Sequence, residues 1–101
     1  MQEFEKMISG EVYDPMSEYL YNLRENTRNK LYRFNSEQNT IYRVDLLYSI
    51  LGKIGDGCYI TPAFYCDYGI NIEFGDNVYL NTNCTILDSA KVTIGSNTII
   101  G

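Results

Sequence analysis

Apolar residues follow two regimes along this chain. Over residues 1–52 they recur at spacings of three and four, the period of helices packed on one side. From residue 54 they recur every six, in a frame that itself repeats every twenty residues. The first regime predicts three helices. Phe4, Met7 and Ile8 share one face of a short helix, and Gly10 can stop it in a left-handed cap. Asp14-Pro15 reads as the next start, with Asp supplying the cap oxygen and Pro fitting the first helical position. Met16, Leu20, Leu23, Thr27, Leu31 and Phe34 then make one stripe of about five turns, ending near Asn35. After the polar break Ser36–Asn39, the positions Ile41, Val44, Leu47, Tyr48 and Leu51 form a third stripe, closed by Gly52. All three stripes read as core faces.

The second regime carries a phrase that occurs three times. Ile54-Gly55-Asp56-Gly57-Cys58-Tyr59-Ile60 reappears as Phe74-Gly75-Asp76-Asn77-Val78-Tyr79-Leu80, and again as Ile94-Gly95-Ser96-Asn97-Thr98-Ile99-Ile100. A fixed period marks a repeat architecture. Within it lie hexads beginning at Ile54, Ile60, Cys66, Phe74, Leu80, Ile86 and Ile94, with Ile72-Glu73 and Val92-Thr93 as extra pairs. Each hexad sends its first residue inward, and the residue four later also faces in and is usually small, as at Cys58, Cys84, Ala90 and Thr98. Phe64, Ile70 and Val78 put larger groups in that place. The Gly-Asp-Gly, Gly-Asp-Asn and Gly-Ser-Asn triplets supply turn residues that tolerate positive φ. Three strands and three turns close one triangular coil of about 18 residues, and stacked coils bury a common core. The extra pair is expected as a small bulge at one corner. A β-sandwich also uses short strands and such turns, but it has no reason to keep a twenty-residue period. The expected fold class is α+β: an N-terminal helical subdomain (1–52) followed by the first coils of a left-handed parallel β-helix (53–101).

Composition narrows the function classes. The net charge is −5, which leaves no basic patch to neutralise phosphates and argues against nucleic acid. Arg24, Arg28, Lys30 and Arg33, interleaved with Glu25, read as a solvated helix face. No window is apolar enough to span a bilayer, and the acidic start Met1–Lys6 lacks the apolar run of a secretory signal, so a cytoplasmic protein is expected. Cys58, Cys66 and Cys84 form no CxxC pair and there is no histidine, so neither a disulfide framework nor a metal site is expected. The cysteines read as small core residues.

Three stretches resemble the maltose and galactoside O-acetyltransferase group of the hexapeptide-repeat acyltransferases. Met7-Ile8-Ser9-Gly10-Glu11-Val12-Tyr13 resembles that group's opening motif, and Arg33-Phe34-Asn35 closes the long helix as it does there. Cys66-Asp67-Tyr68-Gly69-Ile70-Asn71-Ile72, continuing through Phe74-Gly75 to Asn81 and Asp88, resembles its first coil and acceptor-side strand. The resemblance implies a homotrimer with sites between neighbouring β-helices. It implies acetyl-CoA as co-substrate, no metal, and acetyl transfer to a sugar hydroxyl without an acyl-enzyme, a histidine acting as general base. It places Asn81 near the reacting centre and Asp67 against the sugar. Asp88 and Ser89 fall at an acidic corner of the acceptor pocket, Tyr79 beside it as an aromatic cover, and Asp14 as an N-terminal acidic contact. From the residues alone, Asp67, Asn81 and Asp88 are equally turn or ladder residues that bond the backbone, and Asp14 is equally a helix cap.

The catalytic histidine of that group has no counterpart here. The resemblance places it, with most of the CoA groove, beyond the last coil of this chain. No catalytic residue is therefore assigned within the chain, which is expected to be inactive alone and to cover its open β-helix end by self-association. Three functions compete: the N-terminal part of a sugar O-acetyltransferase, a non-catalytic oligomeric sugar-binding or assembly module, and a hexapeptide-repeat acyltransferase with another acceptor, such as an amino sugar or an antibiotic.

Overall fold

A computed structural model describes residues 2–101; Met1, at the start of the N-terminal reading, lies outside them. Three helices come first: α1 (Gln2–Ser9), α2 (Glu18–Ser36) and α3 (Thr40–Ile50). Helix α1 ends as its pattern predicts, with Gly10 at φ +82° and its N–H donating back to the Met7 carbonyl at 3.3 Å. Helix α2 starts later than expected. Its cap is Ser17, whose Oγ accepts from the Leu20 N–H at 3.4 Å. Asp14 instead closes a turn of its own, its Oδ1 accepting from the Met16 N–H at 2.9 Å, and Met16 stays exposed. An Asp side chain competes with the helix for nearby amides, and here the local turn wins. The rest of the stripe packs as predicted, with Leu20, Thr27, Leu31 and Phe34 buried.

Helix α3 buries only part of the face its spacing suggests. Leu47, Ile50 and Leu51 are buried while Ile41 and Tyr48 are exposed. Its apolar contacts with the β-coil come from the last turns, while Arg43 nearer its start donates to the Tyr59 hydroxyl at 2.6 Å. Gly52 is not a left-handed stop: a Cβ there would collide with the Ile70 carbonyl, so it is a point of close backbone approach.

Seven short strands follow: β1 (Tyr59–Ile60), β2 (Phe64–Cys66), β3 (Ile72–Phe74), β4 (Tyr79–Leu80), β5 (Cys84–Ile86), β6 (Val92–Ile94) and β7 (Ile99–Ile100). All pair in parallel, twenty residues apart, as three faces ordered β1-β4-β7, β2-β5 and β3-β6. This is the stacked coil of a left-handed parallel β-helix, and the α+β class stands. Corners carry the expected left-handed residues, with Gly57, Gly69, Asn77, Asn83 and Asn97 at positive φ. One detail of the frame is corrected. Ile70 and Ala90 do not point inward; both are exposed at the corner. The inserted pair lengthens the corner before β3 and β6, so Ile72 and Val92 take the inward places, Ile72 fully buried.

Helices and coil share one core. Leu31, Phe34, Leu47, Ile50 and Leu51 pack with Ile60, Phe64, Ile72, Phe74, Val78 and Leu80. The upper rim of β2 is paired by a side chain: Asn35 Nδ2 donates to the Phe64 carbonyl at 3.0 Å and the Phe64 N–H donates to Asn35 Oδ1 at 2.9 Å. One amide thus completes a strand edge that no backbone covers. Asn35→Ala is expected to cost about 2–3 kcal/mol, because both Phe64 groups lose their partner in a part-buried place. Chemical denaturation with an unchanged slope and a lowered midpoint is the expected record.

Candidate functional site

The outward surface of β2-β5 lies between two corners, and the resemblance-derived residues divide between them. Asp67 and Ser89 sit on the corner that leads to β3 and β6, and Asn81 on the corner between β4 and β5. Tyr79 lies on the adjoining face, stacked on Tyr59 at 6.2 Å between ring centroids with the planes 4° apart. Its hydroxyl shares a hydrogen bond with Thr61 Oγ1 at 2.9 Å and donates to Asn81 Oδ1 at 3.4 Å. The parallel register produces this ladder, since Tyr59 and Tyr79 are paired directly. Asn81 Oδ1 also accepts from the Thr82 N–H at 2.8 Å, so the amide is oriented by its own turn and remains exposed.

Asp88 is not a surface group. It is fully buried and holds the corner of the coil above. Oδ1 accepts from the Asp67 N–H at 3.1 Å and the Tyr68 N–H at 2.9 Å, and Oδ2 accepts from the Asn71 N–H at 3.3 Å. Asn71 Nδ2 returns a bond to the Asp88 carbonyl at 2.8 Å. Burial pushes the Asp88 carboxyl above the ordinary aspartate range, and the amides of Tyr68, Asn71 and Asp67 pull it only part of the way back. Its work is to fix the loop that presents Asp67. Asp14, in the α1–α2 connection, is exposed; its N–H donates to Glu3 Oε2, and that bond holds the Glu3 carboxyl below its usual range. Its side chain serves the Met16 turn, and no contact joins it to the Asp67 or Asn81 corner.

Asp67 borders a cavity of about 280 Å³ between α2 and β2, whose other walls are Arg24, Arg28, Leu31, Tyr32, Asn35, Tyr65 and Cys66. The helix contribution comes at spacings of three and four, so it was readable as a second stripe beside the apolar one. Charge alone made it look solvated. That reading is corrected for Arg24. Arg24 NH1 donates to the Tyr68 hydroxyl at 2.7 Å and lies 5.8 Å from that ring's centroid, while Lys30 donates to the Ser49 carbonyl at 3.0 Å. Burial pushes the Tyr68 hydroxyl up, so it stays protonated beside Arg24. Burial likewise pushes the Cys66 thiol up, which removes it as a nucleophile at neutral pH. Among the described residues, no group of three or more Cys, Asp or Glu is placed to hold a metal ion, and no helix is long and apolar enough to cross a membrane.

Residues 6–55 match the maltose acetyltransferase hexapeptide capping motif. The chain is 98% covered by a maltose O-acetyltransferase from Clostridium difficile 630, at 36% identity and a TM-score of 0.94, over 54% of that enzyme. The chain belongs to the maltose and galactoside O-acetyltransferase group of the hexapeptide-repeat acyltransferases. A hexapeptide-repeat acetyltransferase of Vibrio cholerae, solved with acetyl coenzyme A, superposes with a TM-score of 0.91 at 33% identity over all of this chain and 55% of its own. A putative acetyltransferase of Dictyostelium discoideum is 37% identical over 99% of this chain and 53% of its own. The chain thus spans about half the length of the curated relatives it matches. In this chain the Asn35 amide ties α2 to the edge of β2.

Proposed function

We propose that residues 1–101 form the acceptor-binding part of a sugar O-acetyltransferase, with 1–52 as the helical region and 53–101 as the opening β-helical coils. Acetyl-CoA is the donor and a sugar hydroxyl the acceptor, in a cytoplasmic trimer with sites between neighbouring coils. The observation that carries this is the placement of half-buried Asp67 and exposed Asn81 at the two edges of β2-β5, in a chain so similar to a maltose O-acetyltransferase. Asp67 would accept hydrogen bonds from sugar hydroxyls. Asn81, with its oxygen occupied by its own turn, would offer its NH₂ to the acceptor or the acyl oxygen. Ser89, half-buried on the same corner, would add a hydroxyl. Tyr79 would cover a ring face. Asp88 would act through Asp67 rather than on the sugar, and Asp14 would contribute through its loop.

The reaction is direct attack: the sugar oxygen bonds to the acyl carbon, the thiolate leaves, and a base takes the hydroxyl proton. That base is not among these side chains, since the chain has no histidine and its buried carboxylate, Asp88, is committed to amides. No residue described here forms an evident cradle for the CoA phosphates, so no step is assigned to such contacts. Titration of the chain with maltose, followed by amide shifts, tests the acceptor reading. The expected result is shifts centred on Asp67, Ser89 and Asn81 that vanish in Asp67→Ala. Shifts scattered over α3, or none at all, would count against it.

A further inference from the structure

The acceptor contacts above make no use of the hold that α3 has on the tyrosine ladder. We propose that Arg43 is a positioning residue for Asn81, acting from α3 through Tyr59 and Tyr79 to turn the Asn81 NH₂ outward. The inference rests on the acceptor reading, which gives that NH₂ to the acceptor or the acyl oxygen.

The contacts run in one line from helix to corner. Arg43 Nη1 donates to the Glu37 and Gln38 carbonyls at 3.0 Å each, and Nη2 donates to Thr40 Oγ1 at 3.3 Å and to the Tyr59 hydroxyl at 2.6 Å. The first three partners lie in the α2–α3 connection and at the start of α3, so they fix the guanidinium plane that meets Tyr59. Nε is buried without a partner among the described residues, so the fork is turned to Tyr59 at the expense of that donor. The guanidinium carbon also lies 5.9 Å from the Tyr59 ring centroid. Tyr59 stacks on Tyr79, so holding the first ring limits the drift of the second. The Tyr79 hydroxyl has one proton, which goes to Asn81 Oδ1, so it accepts from Thr61 Oγ1. At 3.4 Å the bond to Asn81 is longer than the roughly 2.7–2.8 Å usual for O–H···O, and little outward drift of the ring would lose it. Asn81 Oδ1 also accepts from the Thr82 N–H, which engages both of its lone pairs and leaves the NH₂ to face a ligand. Exchanging the two ends of an amide changes its shape little, so these two donors decide which end points outward.

The test follows the Asn81 side-chain amide signals of the chain, first without ligand and then with maltose. Tyr59→Phe removes the hydroxyl that Arg43 grips and keeps the ring and the other Arg43 partners. It is expected to broaden or double the Asn81 NH₂ signals and to weaken maltose binding about threefold or more, the scale of one hydrogen bond. Placed on Asn81→Ala, the same change should weaken binding no further, because a residue that acts through Asn81 then has nothing to position. Arg43→Lys, which keeps the charge and loses the fork, should behave as Tyr59→Phe does. Dispersed backbone amide spectra confirm that each variant remains folded. Asn81 signals unmoved by Tyr59→Phe, or an equal loss of affinity in both backgrounds, would overturn the inference while leaving the acceptor reading intact. Broadened Asn81 signals in a chain that does not respond to maltose would support the positioning and overturn the acceptor reading instead.

Discussion

Asp88→Ala is expected to destabilise the chain by about 3–5 kcal/mol, because three buried amide donors, those of Asp67, Tyr68 and Asn71, lose their acceptor together. Against a total of roughly 5–15 kcal/mol for a chain of this size, that loss removes much of the folded population at 37 °C. Asp88→Asn should cost less, about 1–2 kcal/mol, since one oxygen can still face Asp67 and Tyr68 while the new NH₂ opposes the Asn71 N–H. The pH dependence has a defined sign. Burial raises the folded-state pKa of Asp88 above the ordinary aspartate value. Between that value and the raised one, the native chain binds more protons than the unfolded chain, so this residue's contribution to stability grows as pH falls through the folded pKa. The stability gap between wild type and Asp88→Asn should therefore widen as pH drops from 7 toward 4. Urea denaturation at stepped pH values reads it, and a gap that narrows would contradict the account.

Gly69→Ala should be nearly as damaging, at about 2–4 kcal/mol. Gly69 has φ +76°, a conformation a Cβ penalises, and an added Cβ would run into the Ile50 carbonyl at the end of α3. The Gly69 carbonyl also accepts from the Gly52 and Ile72 N–H groups at 3.1 and 2.9 Å, so a shift at this corner propagates into the joint between helices and coil. Thermal unfolding should show a lowered midpoint. Gly95→Ala, where a Cβ meets nothing within 4 Å, is the matched control and should unfold as wild type does. Equal midpoints for the two variants would show that the corner tolerates movement.

Much of this architecture was legible because repeats constrain sequence strongly. The twenty-residue return of Ile54, Phe74 and Ile94 follows from parallel stacking, and strand register reproduces it directly. Legibility failed where tertiary contacts chose between locally equivalent options. Asp14-Pro15 and Ser17 are both sound helix starts, and the Asp14 turn with Met16 tips the choice to Ser17. The apolar stripe on α3 includes Ile41 and Tyr48, yet both stay exposed while Leu47, Ile50 and Leu51 are buried, and Tyr48 meets the coil through its hydroxyl, which donates to the Gly55 carbonyl at 3.2 Å. The hexad frame placed Ile70 and Ala90 inward because it could not tell which side of the inserted pair holds the extra corner. The same gap separates Asp67 from Asp88. Both are acidic residues at corners, and only the coil twenty residues earlier shows that one faces the cavity while the other is sealed beneath its neighbours' amides. The cavity leaves no mark in the sequence because Arg24 and Asp67 lie far apart along the chain, and no spacing rule joins a helix stripe to a β corner.

The most direct test of the central claim joins residues 1–101 to the C-terminal part of the Clostridium difficile maltose O-acetyltransferase that the chain does not cover. Acetyl-CoA-dependent acetylation of maltose is then measured by mass spectrometry, with Asn81→Ala and Asp67→Ala compared at equal folded concentration. The account predicts acetylated product from the joined protein, a fall of about 10²-fold or more in kcat/KM for Asn81→Ala, and a smaller loss for Asp67→Ala. A folded joined protein whose turnover is unchanged by either substitution would contradict it.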